Sequence, residues 1–422
     1  MSPFPGIAGA GRRLCIVSQW YPPEQAPFGK MMEELASFAA TCGWNVTVIT
    51  GFPNHPSGQL FGGYRKRWLL EERMAGAVTV KRVWLWTSAR NGITARLLRF
   101  ASFTLVSMWR LLREPRADVV FAVLQPLSLG ALLPVIARLK RSRLVLDIQD
   151  LHPDTQIRLG LVRNRLWIAI LRGIESYAYR SCAALVVICE PFRRHVIARG
   201  ALPERVSVIE NWVDTDRVHP LSGDNAFRSD AGLSTSDFVV LWAGTLGYVS
   251  GAGLIIDAAE LLCDQADIKF LVVGEGPLLE SLVARSQHLG LQNVIFRPFQ
   301  PEERLAQVQA SGDVSLVVLS TDFAETSVPS KVIAYMAAGR GVLAAVPAES
   351  PTAALVQTAQ AGIVVRPGDA RELAEAIRSL RSDRDRTRRL GTAGRRYAVA
   401  NLSSTLGVAR LERALRQSLA SK

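Results

Sequence analysis

Short apolar runs alternate with longer stretches of helical spacing along nearly all of the 422-residue chain. Residues 14–17 read as a strand, 19–23 as a loop broken by Pro22 and Pro23, 30–41 as a helix and 46–50 as a second strand. Strand, helix and strand in about forty residues make a βαβ unit, which implies a parallel sheet. A long loop rich in Gly, Pro and Asn follows at 51–63. Further strands are expected at 78–84, 119–124, 144–148, 184–188 and 206–209, with helices at 166–180 and 192–199. Residues 214–237 are polar with little apolar periodicity, and they read as a linker.

A second βαβ series begins at 238. Strands are expected at 238–242, 268–273, 294–296, 314–319, 342–346 and 362–365. Helices are expected at 253–263, 278–289, 301–310, 369–380 and 385–400, with a last one at 402–419. The pattern thus predicts an α/β protein of two Rossmann-like parallel-sheet domains facing a cleft. The first spans 1–213, the second 238–401, and residues 402–422 cross back to the first. Between strands 314–319 and 342–346 lie a polar loop at 320–327, then Pro329, and a helical run ending at Gly339. Pro suits the first turn of a helix and Gly its C-terminal cap. Lys331 falls in that first turn, where free N–H groups and the dipole favour an anion. An ordinary crossover helix with an exposed lysine reads the same way.

Composition narrows the class. An apolar share of 49% with 21% charged residues belongs to a folded protein, and the length suits two domains. The five cysteines show no CxxC spacing and the five histidines no HxxxH or HExxH pattern, so no metal site is expected. Neither a basic n-region at the start nor a long uncharged apolar stretch is evident, and a cytoplasmic protein is expected. The net charge of +13 is uneven: residues 61–116 hold 12 Lys/Arg against 3 Asp/Glu. Within them, 100–112 is an apolar helix flanked by Arg96, Arg99, Arg110 and Arg113. Such a helix either lies on an anionic bilayer or sits in a core with its arginines snorkelling. No nucleic-acid motif accompanies the charge, and no nucleic-acid partner is expected.

The candidate chemistry lies at strand ends, where open parallel sheets carry their ligands. Asp147, Asp150 and His152 follow strand 144–148. The loops Gly244–Thr245–Leu246–Gly247 and Gly274–Glu275–Gly276 each follow a strand, but neither forms the GxGxxG of a dinucleotide site.

These residues, with 18–24, 45–54, 147–153, 208–214, 273–277 and 329–339, resemble the retaining glycosyltransferases of family 4. The likeness is to the bacterial branch that builds capsular and exopolysaccharides, and it covers about residues 13–400. The resemblance implies a GT-B fold and metal-independent transfer, without a cofactor, from a nucleotide-diphospho-sugar to a lipid-linked saccharide. The protein would then touch the inner face of the plasma membrane peripherally. It places the donor against Gly29, Gly244, Thr245, Gly247, Gly274, Glu275, Gly276, Phe299, Glu325, Thr326, Ser327, Val328, Ser330 and Lys331. It places the acceptor by Asn54, His55 and Arg158, with Asp150 or His152 orienting its hydroxyl or receiving its proton. Lys331 would stabilise the leaving diphosphate.

The family's two glutamates seven residues apart are degraded here: the second falls on Ala334 and the first near Thr326, beside Glu325. The segment 248–251 after the glycine loop lacks the basic residue often found there. Two other readings therefore stay open, another GT-B enzyme such as a nucleotide-sugar epimerase, and a catalytically weak sugar-nucleotide-binding scaffold.

Overall fold

The computed structural model describes residues 11–24, 27–55, 58–74, 76–88, 92–247, 250–320 and 329–420. The chain divides into two units, Met1–Glu210 with Thr405–Lys422, and Asn211–Ser404.

The first unit opens with β1 (Arg13–Val17), α1 (Pro27–Thr41), β2 (Asn45–Gly51), β3 (Leu69–Arg73) and β4 (Val78–Val83). It continues through α2 (Ile93–Arg113), β5 (Val119–Val123), α3 (Leu129–Leu139) and β6 (Arg143–Ile148). Then come α4 (Asp154–Arg158), α5 (Arg165–Ser181), β7 (Ala184–Val187), α6 (Glu190–Ala198) and β8 (Val206–Val208). The sheet order is β3-β4-β2-β1-β5-β6-β7-β8, and every pair is parallel except β3 with β4. Strands β1 and β5 are buried almost throughout, as expected where helices cover both faces.

The hairpin strand β3 was not foreseen. Its sequence, Leu-Leu-Glu-Glu-Arg, has no β-branched residue. An ion pair across the hairpin anchors it instead: Arg82 Nε donates to Glu72 Oε2 at 2.7 Å. Helix α3 was not foreseen either, and it forms with Pro134 inside it.

The second unit begins with α7 (Ala226–Asp230), β9 (Phe238–Ala243), α8 (Gly253–Glu260), β10 (Ile268–Val273) and α9 (Leu279–His288). It goes on with β11 (Val294–Arg297), α10 (Leu305–Ala310), β12 (Val314–Val318), α11 (Lys331–Ala337) and β13 (Gly341–Ala345). It ends with α12 (Pro351–Thr358), β14 (Gly362–Val365), α13 (Ala370–Ser382) and α14 (Arg384–Asn401). The order β11-β10-β9-β12-β13-β14 is parallel throughout. Alternation along β9 divides two cores: Val239 and Leu241 face one, Phe238, Val240 and Trp242 the other.

The stretch read as a linker, 214–237, folds into the second unit. Phe227 and Arg228 of α7 are buried. Arg228 donates to Asp237 O at 2.7 Å and to Ser311 O at 3.3 Å and pairs with Asp313 Oδ2 at 3.4 Å, so groups of that unit satisfy its charge.

The last helix, α15 (Ser404–Ala420), belongs with the first unit from Thr405 on. Leu411 and Leu415 are buried, and Trp44 Nε1 donates to Glu412 Oε1 at 2.8 Å. Arg416 pairs with the same carboxylate.

Candidate functional site

The helix that begins at Lys331 is short, and its C-terminus forms as the sequence implies. Gly339 takes φ +70°, Arg340 N donates to Tyr335 O at 3.1 Å and Gly339 N to Met336 O at 3.0 Å. This pair of bonds closes a helix with a left-handed residue. At the other end, the hydroxyl of Tyr335 accepts from Ala243 N at 2.8 Å and pins the end of β9 beneath the glycine loop.

Lys331 stands on that anchorage. Its Nζ lies 3.6 Å from the centroid of the Trp242 ring, and a Cβ at Gly244 would stand 3.1 Å from it. No carboxylate or hydrogen-bond acceptor among the described residues meets this ammonium. Burial pulls its pKa down to about 7. An ammonium desolvated on an aromatic face, without a counterion, is suited to receive an anion.

The glycine loops interlock around it. Leu246 N donates to Glu275 O at 2.8 Å and Gly244 N to Val273 O at 2.9 Å. A methyl at Gly274 would collide with the carbonyl oxygen of Gly244, and one at Gly276 would stand 2.6 Å from Leu246 O. Gly274 and Gly276 thus serve the close approach of two loops. Thr245 and Glu275 are exposed beside them, Gly247 is partly exposed, and Phe299 is exposed in the loop after β11. Ser330 is the N-cap residue of α11 and makes no side-chain cap bond. Ala334 lies partly exposed on α11. Glu325, Thr326, Ser327 and Val328 lie outside the described residues.

In the first unit a second group gathers where β1, β2, β5 and β6 end. Asp147 is buried, accepts from Gln149 Nε2 at 2.8 Å, and burial pushes its pKa up to about 7. Asp150 is likewise pushed up to about 7 by burial, opposed by the charge of Arg96. His152 is pulled down to about 4 by burial, and its Nδ1 lies 2.8 Å from Gln156 Nε2. It is a neutral ring at neutral pH. The turn carrying both is held at Asp154, where α4 starts, by Arg172 and Arg199 at 3.6 Å and His195 at 3.9 Å.

Glu24 is buried, accepts from Asn54 N at 2.8 Å and His55 N at 2.9 Å, and burial raises its pKa to about 7. His55, edge-on to Trp20, is lowered by burial and by Arg99. Asn54 is buried and gives its amide to Phe52 O at 2.8 Å, so it shapes the loop. Gly29 sits in the first turn of α1, where a Cβ would come within 3.3 Å of the Tyr21 backbone. Arg158 is exposed at the end of α4.

Sequence reasoning missed the most informative feature. Gln19 Oε1, Glu24 Oε2, Gln125 Oε1, Asp147 Oδ1 and Gln149 Oε1 are buried with no donor among the described residues. All five are oxygens, all belong to turns or strand ends at one edge of the sheet, and β1, β5 and β6 are neighbours there. Unmet buried acceptors are costly, and a ligand bearing several hydroxyls meets them directly. Gln19, Glu24, Asp147 and Gln149 lie in strand-end motifs visible in the sequence, where only Asp147 stood out as a chemical candidate, and Gln125 gave no signal.

Two α/β units, each on a largely parallel sheet, make up a GT-B fold, with Lys331 at the glycine loops of one and unmet buried oxygens at a sheet edge of the other. The chain belongs to the glycosyltransferases: residues 224–397 match the model for glycosyl transferases group 1, and 28–212 match the glycosyl transferase 4-like domain. It is 28% identical over 366 residues to a protein of Escherichia coli K12 named as a colanic acid biosynthesis glycosyl transferase, WcaI. That alignment covers 85% of this chain and 89% of the other. The fold is similar to sucrose-phosphate synthase from Thermosynechococcus elongatus, with a TM-score of 0.75, 16% identity and coverage of 97% of this chain and 100% of that one. Anabaena Alr3699/HepE in complex with UDP-glucose is similar too, with a TM-score of 0.70, 17% identity and coverage of 97% and 100%. Among the described residues no helix is long and apolar enough to cross a membrane, and no group of three or more His, Cys, Asp or Glu is placed to hold a metal ion.

Proposed function

We propose that this glycosyltransferase moves a sugar from a nucleotide-diphospho-sugar to a lipid-linked saccharide, with retention of configuration, in cell-surface polysaccharide synthesis. The observation that carries the donor half is the desolvated Lys331 ammonium over Trp242, uncountered among the described residues. As the glycosidic bond breaks, charge grows on the leaving diphosphate, and a fixed cation there acts more on the transition state than on the ground state. In this reading the countercharge comes from Lys331 and loop amides and requires no metal ion. The UDP-glucose complex of the HepE neighbour supports a nucleotide-sugar donor.

The acceptor half rests on the unmet oxygens of the first unit, which suit sugar hydroxyls. Asp150, with its pKa near 7, takes the proton of the attacking hydroxyl, and neutral His152 orients it. Attack on the face the diphosphate leaves requires no carboxylate nucleophile. The likeness to the colanic acid protein supports a polysaccharide pathway, and with a lipid-linked acceptor the enzyme would work at the cytoplasmic face of a membrane.

A panel of nucleotide-sugars, read by thermal shift and then by release of free nucleoside diphosphate, tests this. Lys331→Met should cut release about 100-fold for any accepted donor. Full activity in the variant would remove Lys331 from the diphosphate site. Epimerised donor without a glycosylated product would favour the epimerase reading.

A further inference from the structure

Helix α2 extends well past its neighbour. Thr104 Oγ1 meets Ser128 Oγ, at the start of α3, at 2.7 Å, and at the other end Lys140 Nζ donates to Leu112 O at 3.1 Å. The two helices therefore run parallel. The turns of α2 before Thr104 project about 15 Å beyond α3, at 1.5 Å per residue. Helix α5 does likewise: a Cβ at Gly130 of α3 would lie 3.0 Å from Ala178 Cβ and 3.5 Å from Ile174 Cγ2, both in the second half of α5. Both helices follow strands of one parallel sheet, so right-handed crossovers put α2, α3 and α5 on the same face. Their N-termini lie at the edge that carries Asp150 and His152.

These projecting turns are apolar outward. Leu97 is 62% exposed, Leu98 51%, Leu166 69% and Trp167 59%. Ile170 is exposed one turn on, and exposed Trp86 is fixed to α2 by its backbone N–H, which donates to Ser102 Oγ at 2.8 Å.

Between the polar edge and this surface stand Arg96 and Arg99, three residues apart on α2 and so on one side of it. Arg96 acts on Asp150 and His152, and Arg99 on Glu24 and His55. The Arg96 guanidinium lies over the Phe100 ring at 5.6 Å. Neither arginine has a hydrogen-bonded or ion-paired carboxylate among the described residues, and Nε of Arg99 is buried without an acceptor. Two adjacent guanidiniums with no ion-paired carboxylate among the described residues, at the foot of an exposed leucine and tryptophan surface, complement an anionic lipid headgroup under acyl chains.

We propose that the projecting turns of α2 and α5 dock on an anionic bilayer, with Arg96 and Arg99 clamping the phosphate of a lipid at the mouth of the acceptor site. This deepens the acceptor assignment above and rests on it for the lipid's role as substrate. The docking itself stands on the surface. Leu97 and Leu98 enter the acyl boundary, Trp86 and Trp167 lie at headgroup level, and the phosphate is drawn from the bilayer plane toward the polar edge. A lipid-anchored saccharide would then reach Asp150 without leaving the membrane.

Co-sedimentation of the full chain with phosphatidylcholine vesicles, with and without phosphatidylglycerol, tests the proposal. Wild type should bind the anionic vesicles at least about tenfold better than the neutral ones. Arg96→Gln with Arg99→Gln should lose about tenfold or more of that binding. Leu98→Ser with Trp167→Ser should lose at least about tenfold on the anionic vesicles, while keeping the wild-type circular dichroism and thermal shift with UDP-glucose. Wild type that ignores phosphatidylglycerol, or variants that bind as wild type does, would overturn the proposal. So would a lipid-free dimer abolished by Leu98→Ser with Trp167→Ser, or an Arg96/Arg99-dependent response to inorganic phosphate without vesicle binding. If no nucleotide-sugar binds at all, the transferase reading falls, and the vesicle result still decides the docking surface.

Discussion

Lys331 meets two opposed demands, since a cation that waits desolvated for its anion costs stability until the anion arrives. Its pKa near 7 in the fold lies below its ordinary 10.5, so between those values the unfolded chain holds more protons. Stability rises with pH across that window and is lost as pH falls through about 7. Lys331→Met removes this cost, about 1–2 kcal/mol once solvent screening is allowed for. The variant should melt a few degrees above wild type at neutral pH, with the gain vanishing as pH approaches 10.5. A variant that melts below wild type at pH 7 would show that the cation–π contact outweighs desolvation.

The same groups set a pH profile. Asp150 must be ionised to take a proton and rises into that state through about 7, while Lys331 leaves its charged state above about 7. A bell-shaped kcat/KM near neutrality is expected, and Asp150→Asn should leave only low activity without the acid limb. An acid limb unchanged in that variant would move the base elsewhere, with Glu24 next in line. Lys331 was legible in sequence, because Pro329 and Gly339 bracket a helix start. Arg96 and Arg99 were legible as arginines flanking an apolar helix, open to either a bilayer or a core reading. What singles them out is that no carboxylate among the described residues forms an ion pair with either, a property of three-dimensional contacts that no spacing encodes.

At the scale of elements, the parallel strands were plain because buried Val, Ile and Leu runs repeat at βαβ intervals. The misses at β3 and α3 share one cause: packing overrode local preference. Strand β3 is held by Glu72 and Arg82 across a hairpin, and α3 forms although it contains Pro134. The stretch 214–237, read as a linker from its polar sequence, folds into the second unit, where buried Arg228 satisfies carbonyls. The glycine loops show the converse, where sequence and packing agree. Gly274→Ala should lower the melting temperature and weaken nucleotide-sugar binding, since the methyl must drive the loops after β9 and β10 apart at a cost of about 1–3 kcal/mol. Gly253→Ala, at the start of α8 with open space around its Cβ, should be neutral or slightly stabilising. Equal effects in thermal melts of the two variants would contradict the interlocked loops.

Across the whole molecule, the reading assigns different chemistry to units with separate cores: donor anion to the second, acceptor hydroxyls to the first. The C-terminal segment complicates any unfolding study, because α15 leaves the second unit and fixes itself to the first through Glu412 and Trp44. That bond also offers a marker. Trp44→Phe removes the indole donor while Arg416 still pairs with Glu412, a loss of about 0.5–1.5 kcal/mol, and should lower the transition of the first unit in differential scanning calorimetry. A nucleotide-sugar at about a hundred times its Kd adds about 2.7 kcal/mol to whichever unit holds it. In the Trp44→Phe protein the ligand should raise the transition that the substitution left in place and so widen the gap between the two. A ligand that instead raised the lowered transition would place the donor in the first unit, and Lys331 would lose its assigned partner.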